Sequence, residues 1–163
     1  MKGFELVFFR HGIAADTIPD STRPLTEEGI RKTFASAEGL KKMEIPFDRV
    51  FTSPWLRASQ TAAILSEVLM APAPEEMSEL AGDHTAMELL EALQNCQGHC
   101  FLLVGHQPLL GGAVAALLGA AGKCDVDLKK SGACSVFVDG LPARKPAVLN
   151  WMLTSKQLRA LGK

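Results

Sequence analysis

The stretch FELVFFRHG, residues 4–12, joins an apolar run to a polar tripeptide. The run at 4–9 predicts a buried β-strand, and the tripeptide follows at its carboxyl end. In an open α/β sheet, ligands bind in the crevice outside the carboxyl ends of the strands. Arg10 adds a cation there, His11 an imidazole and Gly12 an unhindered backbone. The tripeptide is therefore placed for chemistry, although three residues alone also fit a surface turn with an incidental histidine.

Two later segments repeat this arrangement. The apolar run at 50–51 precedes SPWLRASQT at 53–61, and the run at 101–104 precedes GHQP at 105–108. Each pattern predicts a strand followed directly by polar residues, which include Arg57 and His106. Three strand ends are thus expected to bring arginine and histidine side chains to one crevice.

Helices are predicted between the strands. One should begin near Thr26, a good N-cap residue, and bury a stripe of Ile30, Phe34, Ala37 and Leu40. The next should begin at Pro54 with Ser53 as its N-cap. It should bury the apolar and small residues Ala58, Thr61, Ala62, Leu65, Val68 and Leu69.

Two further helices and two further strands complete the pattern. Thr85 and Glu88 form a capping box for one helix, and Pro108 opens another whose sequence is apolar on every side. The runs at 133–138 and 147–153 are expected as the last strands. The predicted fold class is α/β, a three-layer αβα arrangement with a doubly wound, mostly parallel sheet and at least one late antiparallel strand.

Composition is consistent with one compact domain over residues 1–163. Apolar residues make up 47% of the chain, and the net charge of −1 provides no basic field for nucleic acid. Charged residues at 2, 5 and 10 interrupt the apolar start, and the stretch 109–118 is too short to span a bilayer. We therefore expect a cytoplasmic protein that binds neither nucleic acid nor membrane.

The four cysteines, at 96, 100, 124 and 134, could form disulfides or hold a metal with His84 or His99. Their spacing fits no common zinc pattern, and the cytosol keeps thiols reduced. We expect free thiols, no metal and no cofactor.

The polar blocks resemble, in their order, the histidine phosphatase superfamily, the fold of phosphoglycerate mutases and acid phosphatases. The resemblance includes RHG at 10–12, RPLT at 23–26, SPWLRASQT, GHQPLLG at 105–111 and Asn150-Trp151, nearly the whole chain. It is strongest toward the small phosphohistidine phosphatases of the SixA type. It implies a phosphoglycerate mutase-like fold and a covalent phosphohistidine on the RHG histidine, which water then hydrolyses.

The residues themselves suit phosphoryl transfer. Catalysis of that reaction depends on cations fixed around a group whose negative charge is spread over three oxygens. Arg10, Arg23 and Arg57 could surround one phosphate, since each guanidinium presents a planar fork to two oxygens. Arg57 is also expected in the first turn of its helix, where a cation is unfavourable unless an anion binds. An ion pair with a distant carboxylate is the alternative.

His11 is the predicted nucleophile, because a neutral imidazole keeps a lone pair on one nitrogen while a backbone carbonyl binds the other. His106 is expected opposite it, with hydrogen bonds to the phosphoryl oxygens. A buried histidine satisfied by the backbone is the alternative for His106.

The sequence contains no clear motif for a general acid. Superfamily members that cleave esters use a carboxylic acid in the stretch between the blocks that here are SPWLRASQT and GHQPLLG, and the candidates are Glu79 and Asp83. Neither lies in a convincing motif. Phosphohistidine releases an imidazole that can already be protonated, so a weak acid favours that substrate.

The expected partner is accordingly a signalling protein that carries phosphohistidine. A phosphatase of small phosphate monoesters and a non-catalytic phosphate-binding module remain as alternatives. The sequence leaves the oligomeric state open.

Overall fold

The computed structural model describes residues 3–163. Six strands and five helices alternate along most of the chain. In order they are β1 (Phe4–Arg10), α1 (Glu27–Lys41), β2 (Arg49–Thr52), α2 (Leu56–Leu69), β3 (Glu75–Glu76), α3 (Ala86–Leu93), β4 (Cys100–Gly105), α4 (Leu109–Leu117), β5 (Ala133–Val138), β6 (Val148–Leu153) and α5 (Ser155–Leu161). No helix in this described range is long and apolar enough to cross a membrane.

The strands form one mixed sheet in the order β3-β2-β4-β1-β5-β6. Strands β3, β2, β4 and β1 are parallel to one another, and β5 is antiparallel to both β1 and β6. The prediction of a mostly parallel sheet with a late antiparallel strand is confirmed.

Side chains that alternate along the central strands divide the core between the two faces of the sheet. In β1, Leu6 and Phe8 pack with α3 and α4, whereas Val7 and Phe9 pack with α1, α2 and α5. All four side chains are fully buried. Both faces are therefore covered by helices, and the three-layer αβα prediction is confirmed.

The buried stripe predicted for α1 is partly wrong. Ile30 and Phe34 are 44% and 42% exposed, and small residues take the inner face instead. A Cβ atom on Gly29 would lie 2.1 Å from the Ile13 carbonyl oxygen, and one on Gly39 would lie 1.8 Å from that of Leu158. The helix approaches the neighbouring backbone too closely for large side chains, so close packing rather than hydrophobicity selects its inner face.

The predicted start of α2 is also wrong. The N-cap is Trp55 and the helix begins at Leu56, two residues later than expected. Ser53 does not cap the helix: its hydroxyl oxygen accepts the Trp55 N–H at 3.1 Å and lies against a histidine ring described below. The capping box of α3, from Thr85 and Glu88, is confirmed.

Two elements have no counterpart in the sequence predictions. The strand β3 is two residues long, too short for a periodic pattern. The helix α5 packs against α1 and buries Leu158 completely. A second capping box, from Thr154 and Gln157, marks its start and could have been found in the sequence.

Candidate active site

The register of the sheet brings the three predicted strand ends together. Arg10 of β1 pairs with Gly105 of β4, and Thr52 of β2 pairs with Val104. The residues that follow, His11 and His106, have ring centroids only 5.0 Å apart. Adjacent parallel strands that end at one level therefore bring residues from distant parts of the chain into one cluster.

Hydrogen bonds fix the tautomer of His11. Its Nδ1 lies 2.7 Å from the carbonyl oxygen of Gly12. A carbonyl only accepts, so Nδ1 carries the proton and Nε2 keeps its lone pair. Arg57 Nε–H donates to that Nε2 at 3.2 Å. The lone pair thus faces a guanidinium and not an acceptor.

The surroundings of His11 keep it neutral at pH 7. Burial lowers its pKa to about 4, more than offsetting the hydrogen bond with Gly12, and the charges of Arg57 and Arg10 act in the same direction as burial. The side chain of His11 is therefore a neutral imidazole with its lone pair on Nε2, as nucleophilic attack requires, and in this structure that lone pair accepts the Arg57 Nε–H.

His106 is oriented by Ser53. Its Nε2 lies 2.7 Å from Ser53 Oγ, which already accepts the Trp55 N–H. The Ser53 hydroxyl can donate its proton to His106 Nε2, and in that tautomer the ring proton lies on Nδ1. Nδ1 is buried and has no hydrogen-bond partner among residues 3–163.

The pKa of His106 is lowered to about 3, mainly by burial and further by the neighbouring His11 and Arg57. The Trp55 ring packs against it with a centroid distance of 4.8 Å. A neutral ring with an unsatisfied N–H is thus held rigidly beside His11.

Arg57 is 5% exposed, and all three nitrogens of its guanidinium donate hydrogen bonds. Besides the bond to His11, Nη1 donates to the Asp20 carbonyl at 2.7 Å and Nη2 to the Asp20 carboxylate at 3.3 Å. Thr61 ties the helix to the first loop, because it accepts the Gly12 N–H and donates to the Arg57 carbonyl. The start of α2 is thereby locked against the end of β1.

Gly12 is required for packing. A Cβ atom there would lie 2.4 Å from Thr33 Oγ1 and 3.2 Å from the Gly29 carbonyl oxygen. The loop after β1 therefore rests directly on α1, and this contact sets the position of His11.

Two other arginines complete the cationic surroundings. Arg10 Nη1 donates to the Leu128 carbonyl at 2.9 Å, while its buried Nε finds no acceptor within the described chain. Arg23 Nε donates to the Ala15 carbonyl, and its Nη1 pairs with Asp20 at 3.0 Å. Arg23 and Arg57 therefore share one carboxylate.

Within residues 3–163, Glu79 and Asp83 form no hydrogen bond or ion pair with His11, His106 or the three arginines. Glu79 accepts a hydrogen bond from Ser78 and lines a separate cleft with His84 and Glu88, and Asp83 is exposed. The carboxylate that does lie here is Asp20, which sequence reasoning missed. The available signal was its position in the sequence, three residues before the Arg23 that opens RPLT. A carboxylate so close to an arginine is a natural ion-pair partner for it.

Comparison with known proteins decides the family. The sequence model of the Histidine phosphatase superfamily (branch 1) matches residues 6–82. Phosphohistidine phosphatase SixA of Escherichia coli (strain K12) is 32% identical over 160 residues, which cover 95% of this chain and 96% of that protein. The chain belongs to the histidine phosphatase superfamily.

Two further matches agree with membership in the histidine phosphatase superfamily. An uncharacterised protein of a Picosynechococcus strain is 42% identical over 135 residues, 78% of this chain and 81% of its own length. The structure of the protein histidine phosphatase SixA complexed with tungstate superposes with a TM-score of 0.84 at 31% identity, covering 95% and 99% of the two chains. The predicted phosphoglycerate mutase-like fold is confirmed, and the family supports a phosphatase.

Proposed function

We propose that this protein is a metal-independent phosphatase that removes phosphate from phosphohistidine of a cytoplasmic signalling protein, through a covalent phosphohistidine on His11. The observation that carries the proposal is the geometry of His11. Its Nδ1 proton is held by the Gly12 carbonyl and its Nε2 lone pair faces the arginine-lined pocket. The similarity to phosphohistidine phosphatase SixA supports the same substrate class.

In the first step, His11 Nε2 attacks phosphorus in line with the bond to the substrate nitrogen. That P–N bond breaks, and its electron pair stays with the substrate imidazole, which leaves as a neutral ring when its other nitrogen is protonated. The new phosphoimidazolium on His11 is stabilised because its Nδ1–H donates to Gly12. In the second step water attacks phosphorus, the Nε2–P bond breaks, and a proton and phosphate are released.

Buried donors without partners support oxyanion binding. The Nε of Arg10 and the Nδ1 of His106 are both unsatisfied within residues 3–163. An unsatisfied buried polar group costs about 1–3 kcal/mol, so an anion that accepted from both would remove this cost. The related SixA structure was obtained with tungstate, itself an oxyanion.

Arg57 must exchange partners when phosphate binds. In this structure the two terminal nitrogens of Arg57 donate to the carbonyl oxygen and the carboxylate of Asp20. The side chain of Asp20 is 55% exposed. We infer that the phosphoryl oxygens replace the Asp20 carboxylate on Arg57, with Arg23 retaining Asp20 at the edge of the pocket. Arg23 would then act on the phosphoryl group through its charge, and it would form no hydrogen bond to that group until the loop that carries Asp20 moves.

The charge state of Asp20, the carboxylate that contacts Arg57, favours phosphohistidine over an ester as the substrate. The hydrogen bond from Arg23, followed by the charge of Arg57, holds the pKa of Asp20 below its usual range. Asp20 is therefore ionised at pH 7 and cannot protonate an alkoxide. An imidazole leaving group does not need this proton.

A substrate comparison tests the proposed function. We expect kcat/KM for a phosphohistidine peptide to exceed that for a matched phosphoserine peptide by at least about 100-fold, since general acid catalysis contributes roughly 10²–10⁴-fold where an ester requires it. Glu79→Gln and Asp83→Asn serve as matched variants and should leave the phosphohistidine rate unchanged. Equal rates on both peptides, or a sharp loss in either variant, would contradict the proposal.

Ser53→Ala tests the orientation of His106. Loss of the hydroxyl removes the bond to His106 Nε2 and frees the ring, so kcat should fall roughly 10- to 100-fold with little change in KM. Ser53→Thr keeps a hydroxyl and should recover most of the activity. Steady-state kinetics alongside thermal unfolding separate this effect from instability. A kcat that stays at the wild-type value in Ser53→Ala would show that the hydroxyl does not position the ring.

A further inference from the structure

A cavity opens beside Arg10. It has a volume of about 360 Å³, and its lining includes five cationic side chains and no carboxylate. We call it the basic cleft, and its cations are Arg10, Lys32, Lys129, Lys130 and Arg159. The protein as a whole has a net charge of −1, so this concentration of positive charge is local.

Two of these cations already have carboxylate partners outside the cleft. Lys32 pairs with Glu28 at 2.7 Å along α1, and Lys129 pairs with Asp127. Surface pairs of this kind contribute little and exchange readily with another anion. These lysines can therefore bind a ligand carboxylate without a large loss.

The remaining cations, Arg10, Lys130 and Arg159, form no ion pair within residues 3–163, although the charge of the nearby Asp127 acts on Arg10. The Nε of Arg159 is buried and has no hydrogen-bond partner in the same range. Fixed, unpaired cations in a cleft attract anions and concentrate them locally.

Arg10 links the basic cleft to the candidate active site. Arg10 lines the cleft and also precedes His11, and the Ser131 N–H donates to the Arg10 carbonyl at 3.0 Å. The charge of Lys130 is close enough to lower the pKa of His11. The two sites thus lie side by side.

We propose that the basic cleft binds acidic side chains of the phosphoprotein whose phosphohistidine lies at His11. The inference rests on the proposed function and adds a specificity determinant to it. Carboxylates suit the cleft because its lining has no aromatic ring on which a nucleic-acid base could stack. The cleft would select substrates with acidic residues beside the phosphohistidine.

Two phosphohistidine peptides of equal length test this inference, one with flanking Glu and Asp and one with Gln and Asn in their place. At low ionic strength, wild-type kcat/KM should be about tenfold higher for the acidic peptide, within the range of electrostatic steering. High salt should remove the difference by screening. In Lys32→Gln/Lys129→Gln the preference should fall to about twofold or less, whereas hydrolysis of phosphoramidate should not change.

Lys41→Gln/Lys42→Gln is the matched variant, because it removes the same charge at the exposed end of α1. It should retain the full preference. Equal kcat/KM for both peptides in the wild type, or an equal loss in the two double variants, would overturn the inference while leaving the proposed function intact. Failure to hydrolyse either peptide would overturn both. Stronger inhibition by an oligonucleotide than by an acidic peptide would assign the cleft to nucleic acid instead.

Discussion

His11→Ala is expected to lower turnover by more than about a thousandfold, because loss of a nucleophile removes the covalent route altogether. Binding of tungstate should stay within a few-fold of the wild-type affinity, since Arg10, Arg57 and His106 remain. Rapid quenching with labelled phosphohistidine peptide measures the covalent intermediate directly, and calorimetry measures tungstate binding. The wild type should accumulate label that is lost in acid, as a phosphorus–nitrogen bond is.

His84→Ala is the matched variant for this experiment. His84 lies in the separate cleft with Glu79 and Glu88, so its removal should change neither label nor turnover. Normal accumulation of label on His11→Ala protein would identify another nucleophile. Loss of tungstate binding in the same variant would show that His11 contributes to the anion site itself, and that the arginines alone do not form it.

The parts of the site that the sequence predicted are those that depend on sheet topology. Arg10, His11 and His106 each follow an apolar strand directly, and parallel neighbouring strands must end at the same edge. Arg57 follows from the same logic, since it lies in the first turn of the helix after β2. These placements need only strand order and polarity, both of which a single sequence encodes.

The parts that could not be predicted depend on contacts between distant loops. Asp20 begins a short 3-10 helix (Asp20–Thr22) between β1 and α1, and only the folded chain places its carboxylate between Arg23 and Arg57. Glu79 was proposed from its position between two blocks, but its side chain accepts a hydrogen bond from Ser78 and lines the cleft with His84 and Glu88. The exposed Phe34 shows the same limit: its pattern is amphipathic, yet the contact of Gly29 with the Ile13 backbone decides which face is buried.

Arg57→Lys is expected to lower kcat/KM by about 10²–10³-fold, the loss seen when one donor to a developing oxyanion is removed. The guanidinium reaches His11 through Nε and Asp20 through both terminal nitrogens. A lysine has a single ammonium group and no planar fork, so it can satisfy one of these positions at most. Steady-state kinetics with the phosphohistidine peptide measure the loss.

Arg49→Lys provides the comparison, because Arg49 is a surface residue paired with Glu75 and should tolerate the exchange. Thermal unfolding of both variants shows whether Arg57→Lys acts on the site or on stability. The charge is unchanged in Arg57→Lys, so a large loss of kcat/KM in a folded protein would mean that fork geometry, and not positive charge alone, holds the phosphoryl group. A near-normal kcat/KM would instead remove Arg57 from the phosphate contacts and leave it as a support for Asp20 and its loop.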